Sequence, residues 1–268
     1  MYFVQENKDT EDNTVMKILS DDIVLRYCRE DESQKIVNVL YEAFWREPLT
    51  RAFPYTASFF LNFWSELIND KFGKMVILGA FSKFDDSELL GVIVIEPASV
   101  DEIEDSNIDY SDIYPDDYFL VVLRKRFWPL LFDKFPSEKL NMNVQNRYFR
   151  LSYLAVSPSA WGCGVARKLL NEIPRVIADI QNRNLDGNSL SSSPSPYIIY
   201  AEATSKASNK ILGAHGGFET WTSFNYEDLR KNWDEFSAVM GMKEARVMGP
   251  CDEEEMFLLV KMHLGGNV

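Results

Sequence analysis

Residues 148–173 read YFRLSYLAVSPSAWGCGVARKLLNEI, and the reading of this stretch decides the fold. An apolar run ends at Ser157-Pro158. Gly162 and Gly164 follow, flanking Cys163, and from Val165 the apolar residues recur at helical spacing. The pattern is a strand, a glycine turn and a helix. Glycine tolerates positive φ and lets a ligand approach the main chain closely. The first turn of a helix presents unpaired N–H groups and the positive end of its dipole. Such a turn suits a phosphate or pyrophosphate. A tight strand-to-helix corner with no ligand is the alternative that the spacing leaves open. Neither standard phosphate signature is complete: G-x-x-x-x-G-K-[ST] is absent, and G-x-G-x-x-G fails at Arg167-Lys168.

Outward from that turn, composition narrows the class. With 268 residues, 46% of them hydrophobic, the chain has ample material for a core. The expected organisation is a loose N-terminal tail over 1–19 and a single domain over 20–268. No run of 18 apolar residues occurs, so no transmembrane helix and no membrane partner are expected. The opening MYFVQENKDTEDNT is polar and acidic, without the basic and apolar regions of a signal peptide. Cys28, Cys163 and Cys251 are far apart and form neither a disulfide framework nor a zinc pattern. Two histidines argue against a His-based metal site, so no metal is expected. These features fit a reduced, cytoplasmic compartment. The net charge of -13 repels a nucleic acid backbone. It attracts cations, protonated amines among them, and equally serves to keep a protein soluble.

The element order follows from periodicity. DIVLRYC (22–28) reads as a strand. REDESQKIVNVLYEAFW (29–45) reads as a helix with acidic residues in its first turn, ended by Pro48. YTASFFLNFWSELINDKFG (55–73) is a second amphipathic helix closed by Gly73. KMVILGAF (74–81) and ELLGVIVIEP (88–97) form a hairpin. An acidic loop over 98–115 precedes a helix over 116–135, bent at Pro129. NRYFRLSYLAV (146–156) is a strand. The helix from Val165 to Asn182 is kinked or shortened by Pro174. A Ser/Pro/Gly-rich linker covers 182–196. YIIYAEA (197–203) is a strand, SKASNKILGAHGG (205–217) a short helix, and GFETWTSFNY (217–226) strand-like. A helix over 227–242 and a strand over 254–264 complete a mixed α/β sheet without internal repeats.

LAVSPSAWGCGVARKLLNEI resembles motif A of the GCN5-related N-acetyltransferase (GNAT) superfamily, a strand ending in V-x-P, then Q/R-x-x-G-x-G/A and a helix. Gly164 and Ala166 match that motif, whereas Trp161 stands where Gln or Arg is usual. AEATSKASNKILGAHGGF resembles motif B, and the similarity spans roughly 22–264. The resemblance implies a mixed, mostly antiparallel central sheet flanked by helices, with a V-shaped splay between the fourth and fifth strands. It implies acetyl-CoA as co-substrate. The pantetheine arm would pair with the main chain of Leu154, Ala155 and Val156. The pyrophosphate would lie on the amides of Trp161, Gly162, Cys163, Gly164, Val165 and Ala166.

YEAFWREPLTRAF (41–53) is similar to the F-F-x-x-E-P-L segment of insect-type arylalkylamine N-acetyltransferases, in which the glutamate relays the amine proton through water. Glu47 occupies that position. A carboxylate before a helix-breaking proline, set among Phe44, Trp45, Leu49 and Phe53, is partly desolvated, as a general base needs. A surface carboxylate paired with Arg46 or Arg51 is the alternative. The tyrosine that many GNAT enzymes use as acid for the departing thiolate is missing, Gly213 taking its place. The insect-type enzymes lack it too and carry two serines earlier in that helix. Ser205 and Ser208 have the same spacing and are the catalytic candidates there, helix capping being the other reading. His215 fits a helix C-terminus, and Cys163 fits packing. Phe44, Trp45, Phe53, Tyr55, Phe59, Phe60 and Phe63 cluster on the two early helices, as core or as walls of an acceptor site. The expected function is acetyl-CoA-dependent acetylation of a small-molecule amine, an arylalkylamine within the resemblance, by a monomer or homodimer. A GNAT enzyme acting on a protein or peptide amine and a degenerate CoA-binding GNAT domain are the rivals.

Overall fold

Two strands read in the sequence as unbroken apolar runs, and the structure shows why: both are buried along almost their whole length. The computed structural model of the chain describes residues 20–47, 57–72, 75–85, 87–98, 148–183, 196–225, 227 and 255–263. Its strands are β1 (Ile23–Tyr27), β2 (Val76–Ser82), β3 (Leu89–Pro97), β4 (Tyr148–Val156), β5 (Tyr197–Ala203), β6 (Glu219–Asn225) and β7 (Glu255–His263). They form one sheet in the order β1-β2-β3-β4-β5-β7-β6. Among the described strands, β4 and β5 alone run parallel; the other neighbours are antiparallel.

The helices are α1 (Ser33–Phe44), α2 (Ala57–Lys71), α3 (Val165–Asn171), α4 (Ile173–Arg183) and α5 (Lys206–Gly216). Each sheet face buries its own cluster. Ile36 and Leu40 of α1 and Trp64 and Ile68 of α2 pack on Ile77, Val92 and Val94. Leu169, Ile173, Ile177 and Leu212 of α3, α4 and α5 pack on Leu78, Ile93, Phe149, Ile199 and Leu259 of the opposite face. A Cβ placed on Gly91 of β3 would lie 2.8 Å from Val165 Cγ1 and 2.9 Å from the Ala155 carbonyl oxygen. The bare main chain there lets α3 and β4 close on β3. No helix among the described residues is long and apolar enough to cross a membrane.

Among the described residues, the expected elements are present with two refinements. The helix expected over 29–45 begins only at Ser33, after a 3-10 turn over Glu30–Glu32. The Glu32 carboxylate folds back onto the Arg29 amide (3.0 Å) and onto Arg26 Nη1 and Nη2 (2.8 and 2.7 Å). The acidic run therefore closes a turn ahead of α1 instead of filling the helix's first turn. The helix over 165–182 divides at Glu172 into α3 and α4. Pro174 takes the second position of α4, where a missing amide costs nothing. The tail over 1–19, the linker from 184 to 195, and, but for Ala98 and Glu227, the acidic loop and the helices expected over 116–135 and 227–242 lie outside the described residues.

The expected splay is visible in the ladder. β4 and β5 pair only at Tyr148–Ile198, Phe149–Ile199 and Arg150–Tyr200. Beyond that, β4 continues to Val156 paired with β3 alone. The β3–β4 register slips between Val94 and Ile95, leaving Ser152 as an extra residue. A bulge bends the strand that carries it, and this one lies just past the last β4–β5 pair.

Candidate active site

The glycine turn leaves the sheet at the C-terminal end of β4. Ser157 N–H donates to the Leu90 carbonyl at 2.9 Å, and Pro158–Ala160 makes a single 3-10 turn. Gly162 and Gly164 then adopt φ of +79° and +81°, and Gly164 is the N-cap of α3. Only glycine takes this left-handed conformation without strain. The amides of Trp161 and Cys163 are used inside the turn, donating to the carbonyls of Pro158 and Ala160 at 3.3 Å each. The amides of Gly162, Gly164, Val165 and Ala166 have no acceptor among the described residues. A Cβ added to Gly162 would meet nothing within 4 Å, so open space adjoins the turn. Arg167 Nη2 lies 3.7 Å from where a Gly164 Cβ would sit, folding a guanidinium over the same turn. Unpaired amides beside a cation make an anion site, which fits the pyrophosphate of acetyl-CoA. Sequence reasoning did not single out Arg167; a basic residue in the first turn of the helix was the available signal.

Trp161, the departure from motif A, is 56% exposed and serves the strand. Its Nε1 donates to the Val156 carbonyl at 2.9 Å, and the Arg46 guanidinium lies 5.9 Å from its ring centroid. From Leu151 to Val156, β4 is not paired with β5, as the expected pairing of a ligand at Leu154, Ala155 and Val156 requires, but the indole already occupies one of those acceptors.

Glu47 reaches this mouth from the other side. The end of α1 closes through Trp45 N–H to Tyr41 (2.8 Å) and Glu47 N–H to Phe44 (2.9 Å). The half-buried Glu47 carboxylate accepts a hydrogen bond from Thr204 Oγ1, the residue that joins β5 to α5. Arg46, one of the two partners weighed for Glu47, has its guanidinium over Trp161, and Arg51 lies outside the described residues. Thr204 was missed in the sequence because its role depends on a contact 157 residues away. Ser205 is the buried N-cap of α5: its Oγ accepts from the Ser208 amide at 3.1 Å and lies 2.6 Å from Ser208 Oγ. Both serines therefore make a cap, one residue from the partner of Glu47. Gly213 and His215 are exposed on α5.

The described aromatic residues of α1 and α2 serve packing. Trp64 stands at the centre, with ring centroids 5.4 Å from Phe44, 5.0 Å from Phe63 and 4.7 Å from Tyr153. Trp64 is buried, so these rings act as core. Phe53 and Tyr55 lie outside the described residues, as do the side chains of Phe59 and Phe60.

The strand order with one parallel pair, the splay beside it and the left-handed glycine turn define the GNAT fold. Solved structures agree. Arylalkylamine N-acetyltransferase 2 from Aedes aegypti is similar at 18% identity, over 91% of this chain and 100% of that one, with a TM-score of 0.59. The Drosophila melanogaster polyamine N-acetyltransferase that forms N-acetylagmatine is similar at 15% identity over 90% and 100%, TM-score 0.59. Mosquito arylalkylamine N-acetyltransferase-like 5b is similar at 17% identity over 90% and 100%, TM-score 0.56. No protein-family profile matches the chain, and no curated protein matches it in sequence. At these identities the likeness carries the fold.

Proposed function

We propose that this protein is an acetyl-CoA-dependent N-acetyltransferase that acetylates the amine of a small molecule, with Glu47 as the water-relayed base. One observation carries the reading: the Thr204 hydroxyl secures the Glu47 carboxylate to the C-terminal end of β5, at the mouth of the splay. Acetyl-CoA supplies an activated acyl group as thioester. The amine nitrogen attacks the thioester carbonyl, the N–C bond forms and the C–S bond breaks. The amine proton passes through water to Glu47, and the thiolate leaves to be protonated. Such transfer needs orientation, a proton acceptor and N–H groups for the oxyanion, and no covalent enzyme nucleophile. The unpaired amides of Gly162, Gly164, Val165 and Ala166, with Arg167, bind the pyrophosphate. The main chain of Leu154 to Val156 receives the pantetheine arm. Ser205 and Ser208, linked through their hydroxyls, stand one residue beyond Thr204 as the groups for the departing thiolate.

The similar solved proteins act on arylalkylamines or form N-acetylagmatine, and all of these acceptors are small amines. That supports the substrate class. The arylalkylamine choice rests on the resemblance at 41–53, since the described rings are packed as core. The test is thiol release from acetyl-CoA with tryptamine, dopamine, tyramine, linear amines and diamines, and a lysine-rich peptide. Glu47→Gln is expected to lose roughly 10²- to 10⁴-fold in kcat/KM, and Thr204→Val a smaller factor. Turnover on the peptide alone would assign a protein-acetylating enzyme. CoA binding without turnover on any amine would leave a degenerate domain.

A further inference from the structure

The base and the glycine turn lie far apart in the chain, yet two contacts join the segments that carry them. Both start from one side of α1. The helix ends at Phe44 but keeps its course through Trp45, whose backbone is right-handed helical and whose N–H donates to the Tyr41 carbonyl. Arg46 therefore follows Glu42 on one face, four residues on. Ser157 Oγ donates to Glu42 Oε2 at 3.1 Å. A serine hydroxyl has one hydrogen, so Ser159 Oγ, 3.0 Å away, is the donor to Ser157. Ser157 is buried, with its N–H on the Leu90 carbonyl and its own carbonyl on the Ala160 amide. It is a fixed point where β4 enters the turn. The second contact is the Arg46 guanidinium, 5.9 Å from the Trp161 ring centroid and within cation–π reach. The indole is held from its other edge by the Val156 carbonyl.

Ser157 and Trp161 are also four residues apart, so the two contacts meet in the same order along both segments. Glu47 is the residue after Arg46. Thr204 ties its carboxylate to the end of β5. Glu42 and Arg46 tie the chain that bears it to the turn at the end of β4. The two strands have parted at this level. The base is thus held from both walls of the splay, and one of its two moorings is the turn with the unpaired amides.

We propose that Glu42 and Arg46 are positioning residues that clasp the end of α1 to the cofactor turn, so that filling the turn with CoA fixes Glu47 for proton transfer. This rests on the reading that CoA occupies the turn and that Glu47 takes the amine proton. A ligand that orders the turn orders Ser157 and Trp161, and through them the last turn of α1. The cofactor then sets the base in place before the amine is attacked, which is a coupling between two sites carried by named contacts.

The experiment uses the full chain with Glu42→Ala and Arg46→Ala, singly and together. Both residues are exposed and alanine suits a helix, so the variants fold. The first readout is hydrogen exchange at the Trp45 and Glu47 amides with and without CoA. CoA is expected to slow it about threefold or more in wild type and to leave it unchanged in the double variant. The second is thiol release: the double variant should lose about tenfold in kcat, the scale of two exposed contacts, with KM for acetyl-CoA within about twofold of wild type. Arg46→Lys and Glu42→Gln keep a cation over the ring and an acceptor for Ser157, and should recover most of the rate. In a Glu47→Gln background the Ala substitutions should cost nothing further, since they act through Glu47. Protection by CoA that survives in the double variant, an unchanged kcat, or a loss that persists in full without Glu47 overturns the clasp. Turnover that falls in Glu47→Gln but not in the α1 variants would reject the clasp and leave the acetyltransferase reading intact. Protection by CoA that the double variant abolishes, with no turnover of any amine, would do the reverse.

Discussion

Replacing Glu32 by Gln should cost the fold about 3 kcal/mol at neutral pH, and the cost should vanish in acid. Glu32 is 3% exposed and takes both Arg26 donors, at 2.7 and 2.8 Å, together with the Arg29 amide. The Arg26 guanidinium carbon lies 3.5 Å from the Phe81 ring centroid, so the cation is itself confined. The Arg26 hydrogen bonds push the Glu32 pKa down to about 2 from 4.5, against the opposing effect of burial and with further help from the Arg29 amide. The folded value is lower than the unfolded one, so the contribution is complete above about pH 4.5 and is lost as pH falls through about 2. The difference of about 2.5 units, at 1.36 kcal/mol per unit, gives about 3 kcal/mol. Arg26 is 30% exposed, which places the figure at the upper end. Urea unfolding of wild type and Glu32→Gln at neutral pH, then at steps down to about pH 2.5, reads the gap directly. The many other carboxylates titrate in both proteins and cancel. A gap under about 0.5 kcal/mol at neutral pH, or one that does not narrow in acid, would refute the assignment of that stability to the Glu32 charge. The corner matters to the site because α1 starts there and delivers Glu47 at its other end.

Two more outcomes follow from single contacts. Gly91→Ala drives a Cβ against Val165 Cγ1 and the Ala155 carbonyl oxygen, so the urea midpoint should fall by the equivalent of about 1–3 kcal/mol with an unchanged slope. Trp161→Phe removes the indole N–H from the Val156 carbonyl and frees that acceptor for the pantetheine arm. Calorimetry should then show CoA binding about fivefold tighter, the value of one neutral hydrogen bond; weaker binding would mean that the indole itself belongs to the cofactor cradle.

Local chemistry made much of the molecule legible in one dimension. The strand, left-handed glycine turn and helix of 148–173 depend on neighbours a few residues apart, as do the break at Pro174 and the Ser205 cap. Periodicity separated the doubly buried β2 and β3 from the amphipathic α1 and α2 for the same reason. The start of α1 was misplaced because Glu32 is held by Arg26 of the preceding strand, not by the helix.

The candidate site was only half legible. Glu47 and the turn over 161–166 were found by motif, but Thr204, Arg167 and Glu42 were passed over in segments that read as ordinary strand and helix. By itself, the sequence determined the order of the elements and the conformation of the turn, because these are set by short-range sterics and hydrogen bonding. Only the tertiary structure decided where β4 parts from β5, that Thr204 meets Glu47 across 157 residues, and that Glu42 and Arg46 reach Ser157 and Trp161. Those facts depend on which strands become neighbours and on how the helices pack over them, and no local period encodes either.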